Sequence, residues 1–141
     1  MAAAVASGVA AQTPGAEPVE IIDFAIPRPL TDRPGDPARG KRVLTDAGNA
    51  TCLICHAMPI PEEPDHGNLA PDLAGVGSRY TAAELRLRIV DPKVLNPDTI
   101  MPAYYRSAGF YRVQEEYRGT SVYSAQDVED VIAYLLTLTE E

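Results

Sequence analysis

Cys52-Leu53-Ile54-Cys55-His56 is the stretch of this sequence that decides the fold. Two cysteines separated by two residues and followed at once by a histidine form the pattern of covalent haem attachment. Two thiols on one short turn can add to the two vinyl groups along one porphyrin edge. The imidazole that follows is then held beneath the ring, where it can ligate iron. The pentad therefore predicts one covalently bound haem c, attached through Cys52 and Cys55, with His56 as an iron ligand.

Three other interpretations of the cysteine pair are weaker. A thioredoxin-like dithiol uses the same spacing but needs a βαβ context, and the sequence carries no comparable strand signal. A zinc site needs four well-spaced ligands, and only His66 remains to join Cys52, Cys55 and His56. A disulfide between two residues so close in sequence would constrain almost nothing.

The second axial ligand is predicted to be Met101, in a turn-rich loop between two predicted helices. That length of chain can pass round the haem and bring a thioether to the face opposite His56, and Pro102 stiffens it. Thioether ligation generally raises the reduction potential relative to a second imidazole, as suits a one-electron relay. Met58 is too close to His56 in sequence to reach that face, and His66 remains the rival ligand.

Three further residues are candidates for supporting the haem. The backbone carbonyl of Pro71 is predicted to accept a hydrogen bond from the His56 ring, which would fix the orientation of the imidazole. Arg79 and Tyr80, just before a predicted helix, are predicted to hydrogen-bond a haem propionate. Ordinary surface capping remains the alternative for Arg79.

The residues favour electron transfer over catalysis at the iron. Haem attachment consumes both cysteines, so no thiol nucleophile is left over. An iron ligated on both faces by His56 and Met101 would be closed to substrates. This disfavours ligand binding and peroxidase chemistry, and no catalytic residues are predicted.

Composition narrows the class of partner. The chain has 141 residues and a formal net charge of −8, and its only lysines are Lys41 and Lys93. Such an acidic chain argues against nucleic acid, which requires clustered basic residues. No apolar run is long enough to span a bilayer, so no membrane span is expected. Residues 1–12 are small, uncharged and alanine-rich, and are predicted to be a signal-peptide remnant or a disordered N-terminus.

Three helices and no strands of comparable strength are predicted, which gives an all-α fold with long loops. The first helix covers about residues 37–45, with Asp36 at its N-cap. The second begins with the capping box Thr81-Ala-Ala-Glu84 and ends before Asp91-Pro92. The third covers about residues 124–138, where apolar residues recur with helical spacing.

The N-terminal part of the chain is predicted to be an extended arm. Prolines recur every few residues through residues 13–36, which forbids a regular helix. Apolar residues such as Ile22, Phe24 and Ile26 lie within it, and a purely disordered tail would not need them. The arm is therefore expected to lie on a surface, either of its own domain or of a partner.

The order of helix, pentad, methionine loop and helix resembles monohaem cytochrome c. Several longer segments are similar to a narrower family, SoxX, the small haem subunits of SoxAX complexes in bacterial thiosulfate oxidation. The segment Met101-Pro-Ala-Tyr-Tyr105 and the proline-rich arm are more specific than the pentad. The matching stretches are residues 26–31, 34–40, 52–59, 69–80, 96–105 and 128–135.

The resemblance implies a monohaem cytochrome c-like fold, with residues 37–141 as the cytochrome c domain and His56 and Met101 as axial ligands. It also implies a periplasmic protein paired with SoxA, a haem subunit that houses the active site. Such a heterodimeric L-cysteine S-thiosulfotransferase joins thiosulfate oxidatively to a cysteine of the carrier SoxYZ. This chain would be the non-catalytic subunit that relays the electrons to a soluble cytochrome c. The alternative is a free-standing periplasmic cytochrome c serving another oxidoreductase.

Overall fold

The computed structural model describes residues 16–140, so the expectation for residues 1–12 lies outside the described residues. Within residues 16–140 the only β-pairing is an isolated bridge between Ile22 and Ala25. The prediction of an all-α fold with long loops is confirmed. The helices are α1 (Pro37–Thr45), α2 (Val76–Arg79), α3 (Ala82–Val90) and α4 (Ala125–Leu135), and short 3-10 turns cover Cys52–Ile54, Pro92–Val94 and Glu115–Tyr117.

Local capping signals place the starts of α1 and α3. The Asp36 carboxylate accepts a hydrogen bond from the backbone N–H of Arg39 (3.0 Å) and caps α1. The Thr81 hydroxyl caps α3, and the Glu84 carboxylate accepts a hydrogen bond from the Thr81 backbone N–H (2.8 Å). This reciprocal pair is the predicted capping box, and both helices begin where the sequence predicts.

The C-terminal part of the chain differs from the prediction in two details. Helix α4 ends at Leu135, earlier than the predicted end near Leu138, because the chain turns to pair with another segment. There the Leu138 carbonyl accepts a hydrogen bond from the Gly77 backbone N–H (2.9 Å). Gly77 belongs to α2, a helix of four residues that the sequence did not predict. Both differences therefore come from one long-range backbone contact.

Helices α1 and α4 cross with their backbones in contact at Gly40. A Cβ atom on Gly40 would lie 1.9 Å from the carbonyl oxygen of Asp130 and 2.9 Å from the backbone nitrogen of Val131. Real Cβ atoms do not approach backbone atoms so closely, so only glycine fits this crossing. The crossing fixes α1, and therefore the segment that leads to Cys52, against α4.

The proline-rich arm packs on its own domain at several residues, of which Ile26 is the most deeply buried, and it leaves one turn exposed. Ile26 is 1% exposed, and its backbone N–H donates to the carbonyl of Ala83 on α3 (3.0 Å). Asp23 and Phe24 form the preceding tight turn with positive φ angles of 48° and 60°. Phe24 is 71% exposed. Packing within the domain explains Ile26 but not Phe24.

A buried ion pair joins the arm to α3 and α4. Arg86 pairs with Glu129 (Nε to Oε1, 2.7 Å), and both side chains are almost inaccessible to solvent. Arg86 also donates to the Ile26 carbonyl (2.7 Å), and Glu129 accepts from the Leu30 backbone N–H (2.9 Å). Because both charges are also hydrogen-bonded to the arm, the pair specifies the path of the arm across the two helices.

Asp130, at the crossing of α1 and α4, is expected to make stability depend on acid pH. Burial raises the pKa of this carboxyl, but hydrogen bonds from Arg39, Gln126 and the Asp36 backbone outweigh it and hold the pKa below the usual 3.8. A carboxyl whose pKa is lower in the folded state stabilises the fold above the unfolded pKa, and this stabilisation is lost as pH falls through the folded pKa. Urea unfolding of wild type and Asp130→Asn should therefore differ most above about pH 4 and converge below it. A difference that is the same at every pH would contradict this role.

Candidate functional site

The two cysteines lie on a capped 3-10 turn, Cys52–Ile54. The Thr51 hydroxyl accepts a hydrogen bond from the Leu53 backbone N–H (3.2 Å) and donates to the Leu44 carbonyl at the end of α1 (2.9 Å). The backbone N–H of His56 donates to the Cys52 carbonyl (2.9 Å), which continues the turn to the histidine. One rigid turn therefore carries both thiols and the imidazole.

The imidazole of His56 is oriented by Pro71. Its Nδ1 lies 2.6 Å from the Pro71 carbonyl oxygen, and because a carbonyl can only accept, Nδ1 carries the proton and donates. The Nε2 atom of His56 is then left with its lone pair, the form that ligates a metal. The contact has the geometry that the sequence predicts for these two residues.

Backbone hydrogen bonds hold the Pro71 loop against the pentad. The Gly67 N–H donates to the Leu53 carbonyl (2.7 Å), and the Ala70 N–H donates to the Cys55 carbonyl (2.9 Å). A Cβ atom on Gly67 would lie 2.1 Å from the carbonyl oxygen of Ile54, so the close approach requires glycine there. The loop and the turn therefore form one unit, and the carbonyl that orients the imidazole is fixed in position.

The Met101 loop is anchored to the end of α3. The Thr99 hydroxyl accepts a hydrogen bond from the Met101 backbone N–H (3.2 Å), and the Thr99 carbonyl accepts one from the Lys93 ammonium (2.6 Å). Further along, the Tyr104 N–H donates to the Ile89 carbonyl (3.0 Å). Because the loop is fixed on both sides of Met101, a weak thioether ligand can be kept in place.

The pentad turn, the Pro71 loop, α3 and the Met101 loop enclose an apolar cavity of about 440 Å³. This is within the range of cofactor sites, about 300–1,000 Å³. Cys52, Cys55, His56 and Met101 all line it. The structure therefore brings together the four residues that the sequence assigns to attachment and ligation.

The charges around the cavity match the chemistry of haem. Its charged lining residues are the two cations Arg79 and Arg88, and no carboxylate lines it. Haem is an apolar ring with two carboxylate arms, so the ring would fill the apolar space and the carboxylates would meet a positively charged part of the lining, where Arg79 also lies 3.8 Å from the Glu140 carboxylate. The donor set, the cavity and the charges all fit haem c.

The electrostatics of the cysteine pair do not suit a dithiol redox catalyst. Burial raises the pKa of the Cys52 thiol to about 11. A reactive dithiol instead needs a pKa depressed towards or below neutrality, because the thiolate is the nucleophile. Residues 16–140 also contain no group of three or more metal-binding side chains of His, Cys, Asp or Glu. The structure therefore disfavours the thioredoxin-like and zinc interpretations.

The rival ligand and the second methionine lie away from the cavity lining. The Nδ1 atom of His66 accepts a hydrogen bond from the Met58 backbone N–H (3.0 Å), and its Nε2–H donates to the Glu63 carbonyl (2.9 Å). Both ring nitrogens of His66 are therefore engaged by the backbone. The Met58 side chain is buried in the hydrophobic core. Neither residue competes with Met101 in this arrangement.

Arg79 and Tyr80, the residues predicted to bind a propionate, both line the cavity. The Arg79 guanidinium donates to the carbonyls of Ala74 (2.7 Å) and Asp72 (3.2 Å), so it closes a loop. The Tyr80 ring lies under a guanidinium, with its centroid 4.0 Å from Cζ of Arg88.

Sequence reasoning missed Arg88 and the stacked pair Tyr104 and Tyr123, whose ring centroids are 4.8 Å apart. The sequence could have indicated Arg88 as a cavity residue, because it lies on the same face of α3 as the apolar residues Leu85 and Ile89. The tyrosine pair had no local signal, because eighteen residues lie between Tyr104 and Tyr123 in the sequence.

The chain matches a known protein family. The sequence profile of the family described as cytochrome c matches residues 37–139. The chain belongs to the cytochrome c family. One covalent haem c is therefore its cofactor, and the predicted cofactor is confirmed. As a cytochrome c it is a haem electron-transfer protein.

A solved structure of a cytochrome c relative is similar over almost the whole chain. It is the crystal structure of SoxXA from P. pantotrophus, with a TM-score of 0.79 and 35% sequence identity. The match covers 86% of this chain and 95% of the other chain. The predicted resemblance to SoxX is confirmed. The comparison with curated proteins found no match.

Within residues 16–140 of this cytochrome c, no helix is both long enough and apolar enough to cross a membrane.

Proposed function

We propose that this cytochrome c is the small electron-transfer subunit of a SoxAX-type complex. The observation that carries the proposal is the similarity to SoxXA, at 35% identity over 95% of the matched chain. A SoxA-type haem subunit is then its partner in a heterodimer, and the periplasm is its location. The chain takes part in sulfur oxidation by moving electrons, not by binding the sulfur substrate.

Each member of the site has a proposed role. Cys52 and Cys55 would attach the haem, and His56 and Met101 would ligate its iron. The Pro71 carbonyl keeps the His56 imidazole in the ligating tautomer through its 2.6 Å hydrogen bond. Bound haem c supplies a one-electron iron couple whose potential depends on its axial ligands and surroundings.

Arg79 and Tyr80 support the propionate side of the cavity in this proposal. Arg79 contributes a positive charge to the lining, and its hydrogen bonds to two carbonyls fix that charge in place. Tyr80 contributes its ring to the lining. The apolar remainder of the cavity excludes water, so electrostatic effects on the iron are stronger there than at the surface.

The wider reaction follows from the SoxAX assignment. The partner subunit catalyses the oxidative joining of thiosulfate to a cysteine of a SoxYZ-type carrier, which releases two electrons. This subunit accepts those electrons one at a time and passes them to a soluble cytochrome c. Two iron ligands from the chain would leave no open position for substrate, which is consistent with a relay.

The exposed turn of the arm supports a permanent protein partner. Ile22 is 46% exposed and Phe24 is 71% exposed, and they lie in one turn that is closed by hydrogen bonds between Ile22 and Ala25. A phenylalanine with a positive φ angle is costly and persists only where the surroundings impose it. Burial of an exposed aromatic side chain against a partner would offset this cost.

Phe24→Ala is the test of the subunit role. We expect this change to weaken binding to a co-expressed SoxA-type subunit by about tenfold or more, because a buried aromatic anchor contributes about 2 kcal/mol. Co-purification and titration calorimetry measure the effect. Tyr111→Ala is the matched control, because Tyr111 is even more exposed but lies outside the arm.

The alternative function is a free-standing periplasmic cytochrome c shuttle. In that case Phe24→Ala and wild type would bind the SoxA-type subunit equally weakly, and both would exchange electrons with a range of acceptors. If Phe24→Ala instead bound the SoxA-type subunit as tightly as wild type does, the complex would stand but the arm would not be part of its interface.

A further inference from the structure

Arg88 on α3 lines the cavity but has no role in the proposed site. Its side chain lines the cavity on the same helical face as Leu85 and Ile89, while Arg86 on the opposite side is paired with Glu129. One guanidinium of α3 is therefore neutralised by a carboxylate. The Arg88 guanidinium forms no ion pair with any residue among 16–140.

Arg88 is held in place, and part of its guanidinium makes no hydrogen bond to the described residues. Its Nη1 donates to the Glu84 carbonyl (3.0 Å), and its Nε and Nη2 donate to no residue that the structure describes. The Tyr80 ring supports the guanidinium from below, with the centroid 4.0 Å from Cζ. A cation–π contact of this kind stabilises and orients the cation by about 0.5–2 kcal/mol.

A half-buried cation at an apolar wall is stabilised by a nearby anion, because the low polarity of the wall strengthens their attraction. The Glu84 carboxylate supplies only part of this stabilisation: hydrogen bonds from Thr81 and the nearby charge of Arg88 lower its pKa, but it forms no ion pair with Arg88. Arg79 differs from Arg88 because its two terminal nitrogens already donate to carbonyls. The free part of the guanidinium fork on Arg88 can bind a carboxylate through two parallel hydrogen bonds.

We infer that Arg88 is the positioning residue that binds a haem propionate, and that Tyr80 acts as its aromatic platform and not as a hydrogen-bond donor. The inference rests on the proposed haem site. A fixed positive charge beside the haem favours the reduced iron, which carries less positive charge. Arg88 therefore raises the reduction potential of this cytochrome.

Spectroelectrochemical titration of the holoprotein tests the inference. In Arg88→Gln the equilibrium constant for reduction should fall roughly threefold to tenfold, where tenfold is about 59 mV for a one-electron couple. Arg88→Lys keeps the charge without the fork and should recover most of the loss. Arg42→Gln, an exposed change of the same charge on α1, should leave the potential unchanged.

The pH dependence of the potential distinguishes propionate binding from a general charge effect. Without Arg88 the propionate pKa rises, so the potential of Arg88→Gln should acquire a pH dependence in the acidic range that wild type lacks. The cavity-lining side chains besides Arg88 that are charged or titratable are Arg79, His56, Cys52, Cys55, Tyr80, Tyr104 and Tyr123. Haem attachment and ligation occupy the cysteines and His56, and burial raises the pKa of Tyr104 to about 12 and that of Tyr123 well above its usual range.

Two tyrosine variants test the platform. Tyr80→Phe keeps the ring and should keep the wild-type potential, whereas Tyr80→Leu should lower the potential in the same direction as Arg88→Gln. A fall in Tyr80→Phe as large as that in Arg88→Gln would show that the hydroxyl is the donor and would overturn the platform role.

Failure of the inference and failure of the haem site give different results. An unchanged potential in Arg88→Gln with a wild-type spectrum would overturn the role of Arg88. Loss of the sulfur–iron band in Arg88→Gln would show that the residue positions Met101 instead, which also overturns it. Wild-type protein without a haem c spectrum would overturn the proposed site itself.

Discussion

Replacing Met101 with alanine is expected to abolish the weak absorption band at the red end of the visible spectrum that marks a sulfur–iron bond. The reduction potential should fall by on the order of 100 mV or more, because axial ligands set haem potentials over a range of about 0.8 V. The physical reason is that a thioether stabilises the reduced iron, and a water or other oxygen ligand in its place stabilises the oxidised iron. Visible spectra of both redox states and a redox titration measure the two effects.

Met58→Ala is the matched control for this experiment. It removes the same side chain, but from the hydrophobic core and away from the cavity lining. We expect Met58→Ala to lose about 2–5 kcal/mol of stability while the band and the potential remain. A band that survives in Met101→Ala would exclude Met101 as the ligand and would make an open iron site or another ligand the better assignment.

Local signals explain why much of this fold can be predicted from the sequence. The caps at Asp36 and Thr81 act within one helical turn, so their residue types are sufficient to place the starts of α1 and α3. The pentad is equally local, since a single turn carries both cysteines and the histidine. The sequence could therefore predict the haem and the turn to which it is attached.

Contacts between distant segments explain what the sequence could not predict. The short helix α2 depends on the bond between Gly77 and Leu138, and the path of the arm depends on the pair Arg86 and Glu129. Nothing in the residues near Arg86 shows that its partner lies on α4. The sequence also does not show what the two cavity arginines contact. Only the folded chain shows that Arg79 donates to the Ala74 carbonyl and that Arg88 uses one nitrogen of its guanidinium, in a bond to the Glu84 carbonyl.

Gly40→Ala is expected to cause the largest loss of stability of any single methyl addition at a described glycine outside the left-handed region. A Cβ at position 40 would lie 1.9 Å from the Asp130 carbonyl oxygen and 2.4 Å from its carbonyl carbon. Because these are backbone atoms of α4, no side-chain rotation relieves the clash and the two helices must separate. Alanine favours the helix over glycine by about 1 kcal/mol. Overpacking typically costs about 1–3 kcal/mol, and here the added methyl group clashes with backbone atoms, which cannot rotate away.

The cost of the clash is therefore expected to exceed the gain in helix propensity. The free energy of unfolding should fall by about 2 kcal/mol or more from a typical total of about 5–15 kcal/mol. Gly48→Ala is the matched control, because its Cβ would meet only the flexible Asp46 carboxylate at 3.2 Å. Thermal and urea unfolding of the holoproteins measure both changes. Since α1 leads into the Cys52 turn and α4 contributes Val131 and Leu135 to the cavity wall, the separation should also loosen the haem site. Equal stability of Gly40→Ala and Gly48→Ala would mean that the helices can move apart without cost, and that the crossing does not fix the turn that carries the haem.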